Sequence, residues 1–540
     1  MKYGFIIDNR KCIGCHACTV ACKSEHDVPL GVNRTWVKQT EKGVFPNTSR
    51  MFSVLRCNHC TDAPCVEICP VEALFIRDDG IVDFNNERCI GCKSCMQACP
   101  YDALYIDPQT QTAAKCNYCS HRIDIGLEPA CVNICPEHAI ISGDMDNPDT
   151  EIAQLLAREQ VTVRKPEKAT YPNLFYINGD EASLNPSQTA RSSDYIWGSQ
   201  TTGVGHYARY AEKLAGGKTL ADLAATLSGT EATYAGADED LRKKTVEVLM
   251  EQSGARRVYD TPDQGILWGW EVSAYILTKA VAAGVFLVPF FAAVFDLADF
   301  GETISYISVG VALLFLGLTG ALLVKDLDKP TRFAYVLLRP QWNSWLVRGG
   351  YAITFFGAFL TLLGVGIYLE WGVMLVLTAW ITAVFAILVA IYTAFLFAQA
   401  KGRDFWQSPI LVIHMFIHSV MAGAAVFLII ELFFGADRQW VEYITNVLFI
   451  SMGINLVILC IELTITHPTK DALSVVRMIT SGRYKVQFWA GTLFAGNILP
   501  IFLLIFGGAE LSAAAAVLVL AGIYITESIW VEAPQRIPLS

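Results

Sequence analysis

From about residue 267 onward the chain is a succession of apolar runs, near 267–293, 304–325, 346–369, 373–399, 409–434, 441–464, 486–508 and 511–531. Each is about twenty residues or longer, enough to cross a bilayer as a helix. The pattern therefore predicts eight crossings, which put both ends of this half on one side. Before residue 267 short apolar stretches alternate with turn residues and predict strands at 4–7, 51–55, 73–76, 81–84 and 103–106. Helical spacing with solvated charges marks 149–159 and 220–252, interrupted by a Ser/Thr/Gly-rich stretch at 187–205. The expected organisation is an α+β domain over 1–180, a linker with short helices over 181–265, an all-α transmembrane bundle over 266–532 and a tail over 533–540.

Composition agrees with this division. With 540 residues and 53% hydrophobic residues, the chain is too long for one domain and too apolar for an ordinary soluble enzyme. A net charge of −10 points to no nucleic-acid partner.

Sixteen of the seventeen cysteines lie between Cys12 and Cys135; the other, Cys460, sits alone in an apolar run and reads as a small packing residue. The sixteen form four groups: Cys12, Cys15, Cys18 and Cys22; Cys57, Cys60, Cys65 and Cys69; Cys89, Cys92, Cys95 and Cys99; and Cys116, Cys119, Cys131 and Cys135. The first and third have the bacterial ferredoxin spacing, and all four end in C-x3-C. Three close thiolates on one turn reach three irons of a cubane, and the fourth, pointing away, reaches a neighbouring cluster. A disulfide scaffold is usually short and secreted behind a signal peptide, whereas this sequence opens Met1-Lys2-Tyr3-Gly4-Phe5. Zinc favours two separated C-x2-C knuckles over three cysteines in seven residues. The segments Pro70-Val71-Glu72-Ala73-Leu74 and Pro100-Tyr101-Asp102-Ala103-Leu104 add an internal repeat after the cysteines. His16, His59 and His121 lie beside ligand positions and read either as groups that tune cluster potentials or as solvent-facing turn residues.

On these motifs, residues 1 to about 180 resemble the four-cluster ferredoxin-like subunits of molybdopterin oxidoreductases such as dimethyl sulfoxide, polysulfide and nitrate reductases. The resemblance implies a double ferredoxin-like domain with four 4Fe-4S clusters. Carried over, Cys12, Cys15, Cys18 and Cys135 hold one cluster and Cys116, Cys119, Cys131 and Cys22 a second. Cys57, Cys60, Cys65 and Cys99 hold a third, and Cys89, Cys92, Cys95 and Cys69 the fourth. Lys23 stands where the family has proline and removes no ligand.

In the apolar half, Trp268-Gly269-Trp270-Glu271-Val272-Ser273-Ala274-Tyr275, Asp326-Leu327-Asp328-Lys329-Pro330-Thr331-Arg332-Phe333 and Tyr392-Thr393-Ala394-Phe395-Leu396 resemble the polysulfide reductase membrane subunits of NrfD type. That resemblance covers roughly 266–532 and implies a haem-free, quinone-reactive integral protein, its quinone near the cluster-bearing side of the first four helices.

The residues themselves point the same way. Glu271, Tyr275 and Lys279 recur at i, i+4 and i+8 and form one stripe from the interface toward mid-bilayer. Tyr275 and Tyr392 are the expected hydrogen-bond donors to a quinone carbonyl, and Glu271 the expected proton exchanger. The competing reading makes the tyrosines interfacial belt residues, Glu271 solvated and Lys279 a snorkelling side chain. Lys279, Glu431 and Glu462 are candidates for a proton path, with Asn455 and Asn497 as further polar groups. His414 and His418, one turn apart, cannot ligate opposite faces of one haem, so helix packing or proton transfer is the expected use.

Lys325, Lys329, Arg332, Arg339, Arg348, Lys401, Arg403, Lys470, Arg477, Arg483, Lys485 and Arg536 fall on the side shared with the cysteines, against Arg438 alone on the other. The asymmetry predicts a multi-pass inner-membrane protein with its cluster domain in the cytoplasm, unless the basic loops serve docking or a partner exports the module. The expected function is electron transfer between menaquinone or ubiquinone and a molybdopterin-type catalytic subunit, without a soluble-substrate site in this chain. The alternative is a subunit of a quinol-oxidising, proton-translocating respiratory complex that delivers electrons to cytochromes.

Overall fold

The computed structural model describes residues 1–44, 47–189, 255–262, 264–435 and 437–540. The expected helical stretch 220–252 and nearly all of the 187–205 stretch lie outside the described residues.

The N-terminal domain is built on a four-stranded sheet. Its central strand β1 (Tyr3–Asp8) runs parallel to β10 (Leu174–Ile177) and antiparallel to β8 (Ile140–Asp144), with Phe5 opposite both Leu174 and Ser142. β9 (Val161–Thr162) closes the β10 edge. Phe5, Ile6 and Ile7 are buried on both faces, which explains why this short run reads as strand from sequence. A long hairpin of β2 (Thr35–Val44) and β3 (Asn47–Arg56) takes a third strand, β11 (Ala255–Tyr259), along β2. Apolar alternation does not announce β2, because its buried positions include Lys38 and Thr40 beside Trp36 and Val37. β11 belongs to the expected linker, yet it is held in the domain: buried Arg257 bonds Asp260 at 3.2 Å and the Pro186 carbonyl at 3.0 Å, while Trp36 donates to Asp260 at 3.0 Å.

Two further hairpins repeat one unit. β4 (Leu74–Ile76) pairs β5 (Val82–Phe84), and β6 (Leu104–Ile106) pairs β7 (Ala113–Lys115). Each begins just after a Cys-Pro turn.

Among the described residues, the C-terminal half holds eight helices long and apolar enough to span a membrane, so the chain is a multi-pass membrane protein. They are α1 (Trp270–Phe295), α2 (Glu302–Lys325), α3 (Trp345–Tyr368), α4 (Val373–Gln399), α5 (Ile410–Phe434), α6 (Arg438–Thr464), α7 (Gln487–Phe506) and α8 (Ala509–Gln535). An amphipathic helix, Lys470–Thr480, lies between α6 and α7. α1 and α5 form the axis, where Gly284 and Gly423 touch: a Cβ on Gly284 would overlap the Ser419 carbonyl. Small residues permit such approach where no water-driven hydrophobic force presses helices together.

The two halves dock through specific bonds. Gln535, at the end of α8, accepts from the backbone N–H groups of Leu267 and Trp268 and from the Gln97 amide at 2.6 Å. Arg332 donates to the carbonyls of Asn86 and Cys89, Ser344 to Ile68, and Arg403 to Gln97. Lys401 pairs with Asp62 at 3.5 Å. Part of the cation excess on this side is therefore docking chemistry.

Candidate cluster chain and membrane pocket

The loops that carry the cysteines share one backbone pattern. In Cys12-Ile13-Gly14-Cys15-His16-Ala17-Cys18 and Cys89-Ile90-Gly91-Cys92-Lys93-Ser94-Cys95, Gly14, His16, Gly91 and Lys93 all take positive φ, between 60° and 71°. Such alternation turns N–H groups toward a concavity suited to anions. Glu72, Asp102 and His138, each two residues after a Cys-Pro proline, also have positive φ. The next residue's N–H then donates back to sulfur, Ala73 to Cys69 at 3.2 Å and Ala139 to Cys135 at 3.3 Å. At Lys23 no proline interrupts the chain, so the helix Ala17–Glu25 runs through, and the Lys23 ammonium binds the Pro29 and Val32 carbonyls instead.

The fold gathers the cysteines across groups. Cys12, Cys15, Cys18 and Cys135 line one cavity, and Cys69, Cys89, Cys92 and Cys95 another. Cys22 lies among Cys116, Cys119 and Cys131, and Cys99 among Cys57, Cys60 and Cys65. Between these sets Cys95 faces Cys65, Cys57 faces Cys116, and Cys18 faces Cys131, so the four sets form a row.

The surroundings suit an iron–sulfur group. Burial pushes the Cys18 thiol up to about 11 and Cys119 up to about 12, so these sulfurs become thiolates at neutral pH only when a cation holds them. Arg56, wholly buried, donates to Cys131 Sγ at 2.9 Å and leaves Nε and Nη2 without a protein partner. His26 Nε2 lies 3.1 Å from Cys119 Sγ, a neighbour that its position three residues beyond Lys23 did not suggest. His59 is buried rather than solvent-facing; its Nδ1 accepts from the Val82 N–H, and burial holds it neutral. His16 contacts Gln39 at 3.0 Å, and exposed His121 contacts Glu25 at 2.7 Å.

The Cys89–Cys95 set abuts the membrane half. A cavity is walled on one side by Cys92 and Ser94, and on the other by Trp268, Tyr275, Asp326 and Tyr392. Leu323, Val336 and Leu396 supply apolar wall. Trp268, stacked on Phe397 and Trp406, donates to the Cys92 carbonyl at 3.1 Å. Gly349 makes room for Tyr392, since a Cβ there would overlap the phenol ring.

The sequence-derived candidates divide here. Tyr275 and Tyr392 are both buried and meet at this cavity. Glu271 is not among its lining residues; it is half-buried and pairs with Lys325 at 3.8 Å. The carboxylate in the wall is Asp326, held up at about 7 by burial, with Lys93 opposing and Glu271 and Asp328 adding. Its place in a polar loop gave no periodic signal that it would turn inward. Lys279 is buried, 4.9 Å from the centre of the Tyr392 ring, and donates to the Val389 and Ala390 carbonyls. Glu431 lies near the far end of α5, about 25 Å along the helix from His414. Glu462 is buried against His414 at 2.9 Å.

The geometry defines a membrane-anchored iron–sulfur electron-transfer protein, and comparison with known proteins agrees. Residues 261–531 match the family described as polysulphide reductase, NrfD, and residues 11–74 and 48–145 match 4Fe-4S dicluster domains. The protein belongs to the NrfD polysulphide reductase family, fused to 4Fe-4S domains. It is 45% identical to one subunit of the tetrathionate reductase of Salmonella typhimurium, over 36% of this chain and 80% of that protein. It is 42% identical to one chain of the polysulfide reductase of Wolinella succinogenes, over 33% and 94% respectively. Identity to the arsenate respiratory reductase iron-sulfur subunit of a Shewanella species is 33%, over 33% and 96%.

Proposed function

We propose that this chain carries electrons between a membrane quinone and a catalytic partner subunit through four 4Fe-4S clusters. One observation carries the reading: a single cavity is bounded by a cluster-ligand cysteine, Cys92, and by two buried tyrosines on membrane helices. Its walls are mostly apolar with few polar groups, as small-molecule sites are. Tyr275 and Tyr392 donate to the quinone oxygens, and Asp326 takes or returns the proton.

Bound clusters supply one-electron steps along the row, and the protein's part is spacing and local charge. The row ends at Cys15, which is exposed. Beside the cysteines of that set in sequence, Ile13, Val20 and Ile134 are also exposed, apolar surface suited to a partner. The relatives are subunits of reductases, which supports a molybdopterin-type partner for this chain. The inner membrane is the proposed location, and the Lys470, Arg477, Arg483 and Lys485 cations support a cytoplasmic cluster domain.

The test is anaerobic purification from membranes with metal analysis and identification of the copurifying chains. Four clusters require about sixteen irons per chain. Reduction of those clusters by added quinol, with molybdenum or tungsten in the complex, supports the reading. Clusters that stay oxidised under excess quinol of suitable potential overturn it.

A further inference from the structure

Beyond the pocket, four ionisable side chains from three helices form one hydrogen-bonded row inside the bundle. Glu462 on α6 meets His414 Nδ1 at 2.9 Å, His414 Nε2 meets His418 Nε2 at 3.0 Å, and His418 Nδ1 meets Glu527 on α8 at 2.7 Å. All four are buried, and the Trp530 ring covers His414.

The row has a definite proton count. Three hydrogen bonds need three protons, one in each gap. Two imidazoles without N–H protons and two carboxylates carry four negative charges, so three protons leave one, wherever each proton sits in its gap. The cation facing Glu527 is Lys279 on α1. Lys279 also stands over the ring of Tyr392, which lines the pocket.

Such a row is degenerate. With the proton on Glu462, His414 donates through Nε2 and His418 through Nδ1 to Glu527. When each proton moves along its own bond, the Glu462 O–H, His414 Nε2–H and His418 Nδ1–H break. His414 Nδ1–H, His418 Nε2–H and Glu527 O–H form. One proton has then passed from Glu462 to Glu527, with no net charge created. Glu462 lies two residues from the cluster-side end of α6, and Glu527 is about 12 Å from the corresponding end of α8.

We propose that Glu462, His414, His418 and Glu527 form a proton relay between Lys279, beside the pocket-lining Tyr392, and the cluster-facing surface of α6. The inference rests on the quinone reading above and adds the route by which that site exchanges protons.

The test uses the full, cluster-loaded chain in liposomes, with decylubiquinol as donor and ferricyanide as acceptor. Relay variants Glu462→Gln, His418→Ala and Glu527→Gln are expected to lower quinol-driven ferricyanide reduction at least tenfold. Cluster content and reduction by dithionite stay at wild-type levels and report folding. Added imidazole is expected to restore His418→Ala to within about threefold of wild type, which a purely structural role would not allow. Should His418→Ala lose its clusters, the two Glu→Gln variants decide alone. Wild-type rates in the variants, or losses in His418→Ala that imidazole cannot rescue, overturn the relay. So does a stoichiometric transition metal that disappears with His418→Ala, since His414, His418 and Glu527 also have ligand spacing. A wild-type chain that oxidises no quinol removes the quinone reading and the relay with it, an outcome distinct from slow variants beside an active wild type.

Discussion

The indole N–H of Trp268 donates to the backbone carbonyl of Cys92 across 3.1 Å, joining the segment just before α1 to the Cys89–Cys95 loop. Both residues line the pocket, so this bond fixes the distance between the membrane site and the Cys89–Cys95 set. Replacing Trp268 with Phe keeps the stack on Phe397 and Trp406 and removes one bond worth about 1 kcal/mol. Cluster content should hold, and quinol reduction of the clusters, followed by stopped-flow absorbance, should slow several-fold.

Gly91 is a tight point of that interface. Its φ is +71°, and a Cβ there would sit 2.7 Å from Asp328 Cβ, beside the pairing of Lys93 with Asp328 at 3.0 Å. Gly91→Ala combines a left-handed conformation costing about 1–2 kcal/mol with a steric clash. Its iron and acid-labile sulfide per chain should fall by about a quarter, the share of one cluster, while Gly310→Ala, at an open position, should not change them.

The pH dependence follows from Asp326. Burial raises this carboxyl to about 7, so it is protonated below that pH and accepts a proton only above it. Quinol oxidation should therefore rise with pH through about 7. In Asp326→Asn the limb should vanish and the rate drop by about 10²-fold or more. A limb unchanged in the variant would assign the proton step to another group.

Tyr275→Phe and Tyr392→Phe each remove a hydroxyl from the pocket without emptying it. Loss of one hydrogen bond of about 1 kcal/mol should raise the quinol KM about fivefold. Steady-state kinetics with a water-soluble quinol would measure it.

Arg56 places a buried positive charge beside Cys131, Cys116 and Cys18, with a hydrogen bond to Cys131. A cation stabilises the reduced, more negative cluster, so Arg56→Gln should lower that potential by roughly 60 mV, about 1.4 kcal/mol for one electron. An EPR redox titration would detect the shift.

The sequence alone determined the features that depend on local order. Eight apolar runs became eight helices because a bilayer demands about twenty apolar residues in succession. The Cys-x2-Cys-x2-Cys loops were legible because three ligands of one cluster come from a single turn. The stripe of Tyr275 and Lys279 was legible as well, being a matter of helical period. Tertiary structure alone decided the rest. It exchanged Glu271 for Asp326 in the pocket wall, because loop residues have no period that predicts which side chain turns inward. It returned Ala255–Tyr259 to the sheet, held by buried Arg257 rather than by an apolar pattern. It also brought Glu527, an unremarked acid more than a hundred residues away, against His418, and separated Glu431 from Lys279. A buried charge is tolerated only where partners from other helices surround it. Helix packing sets that neighbourhood, and the order of residues along one helix does not contain it.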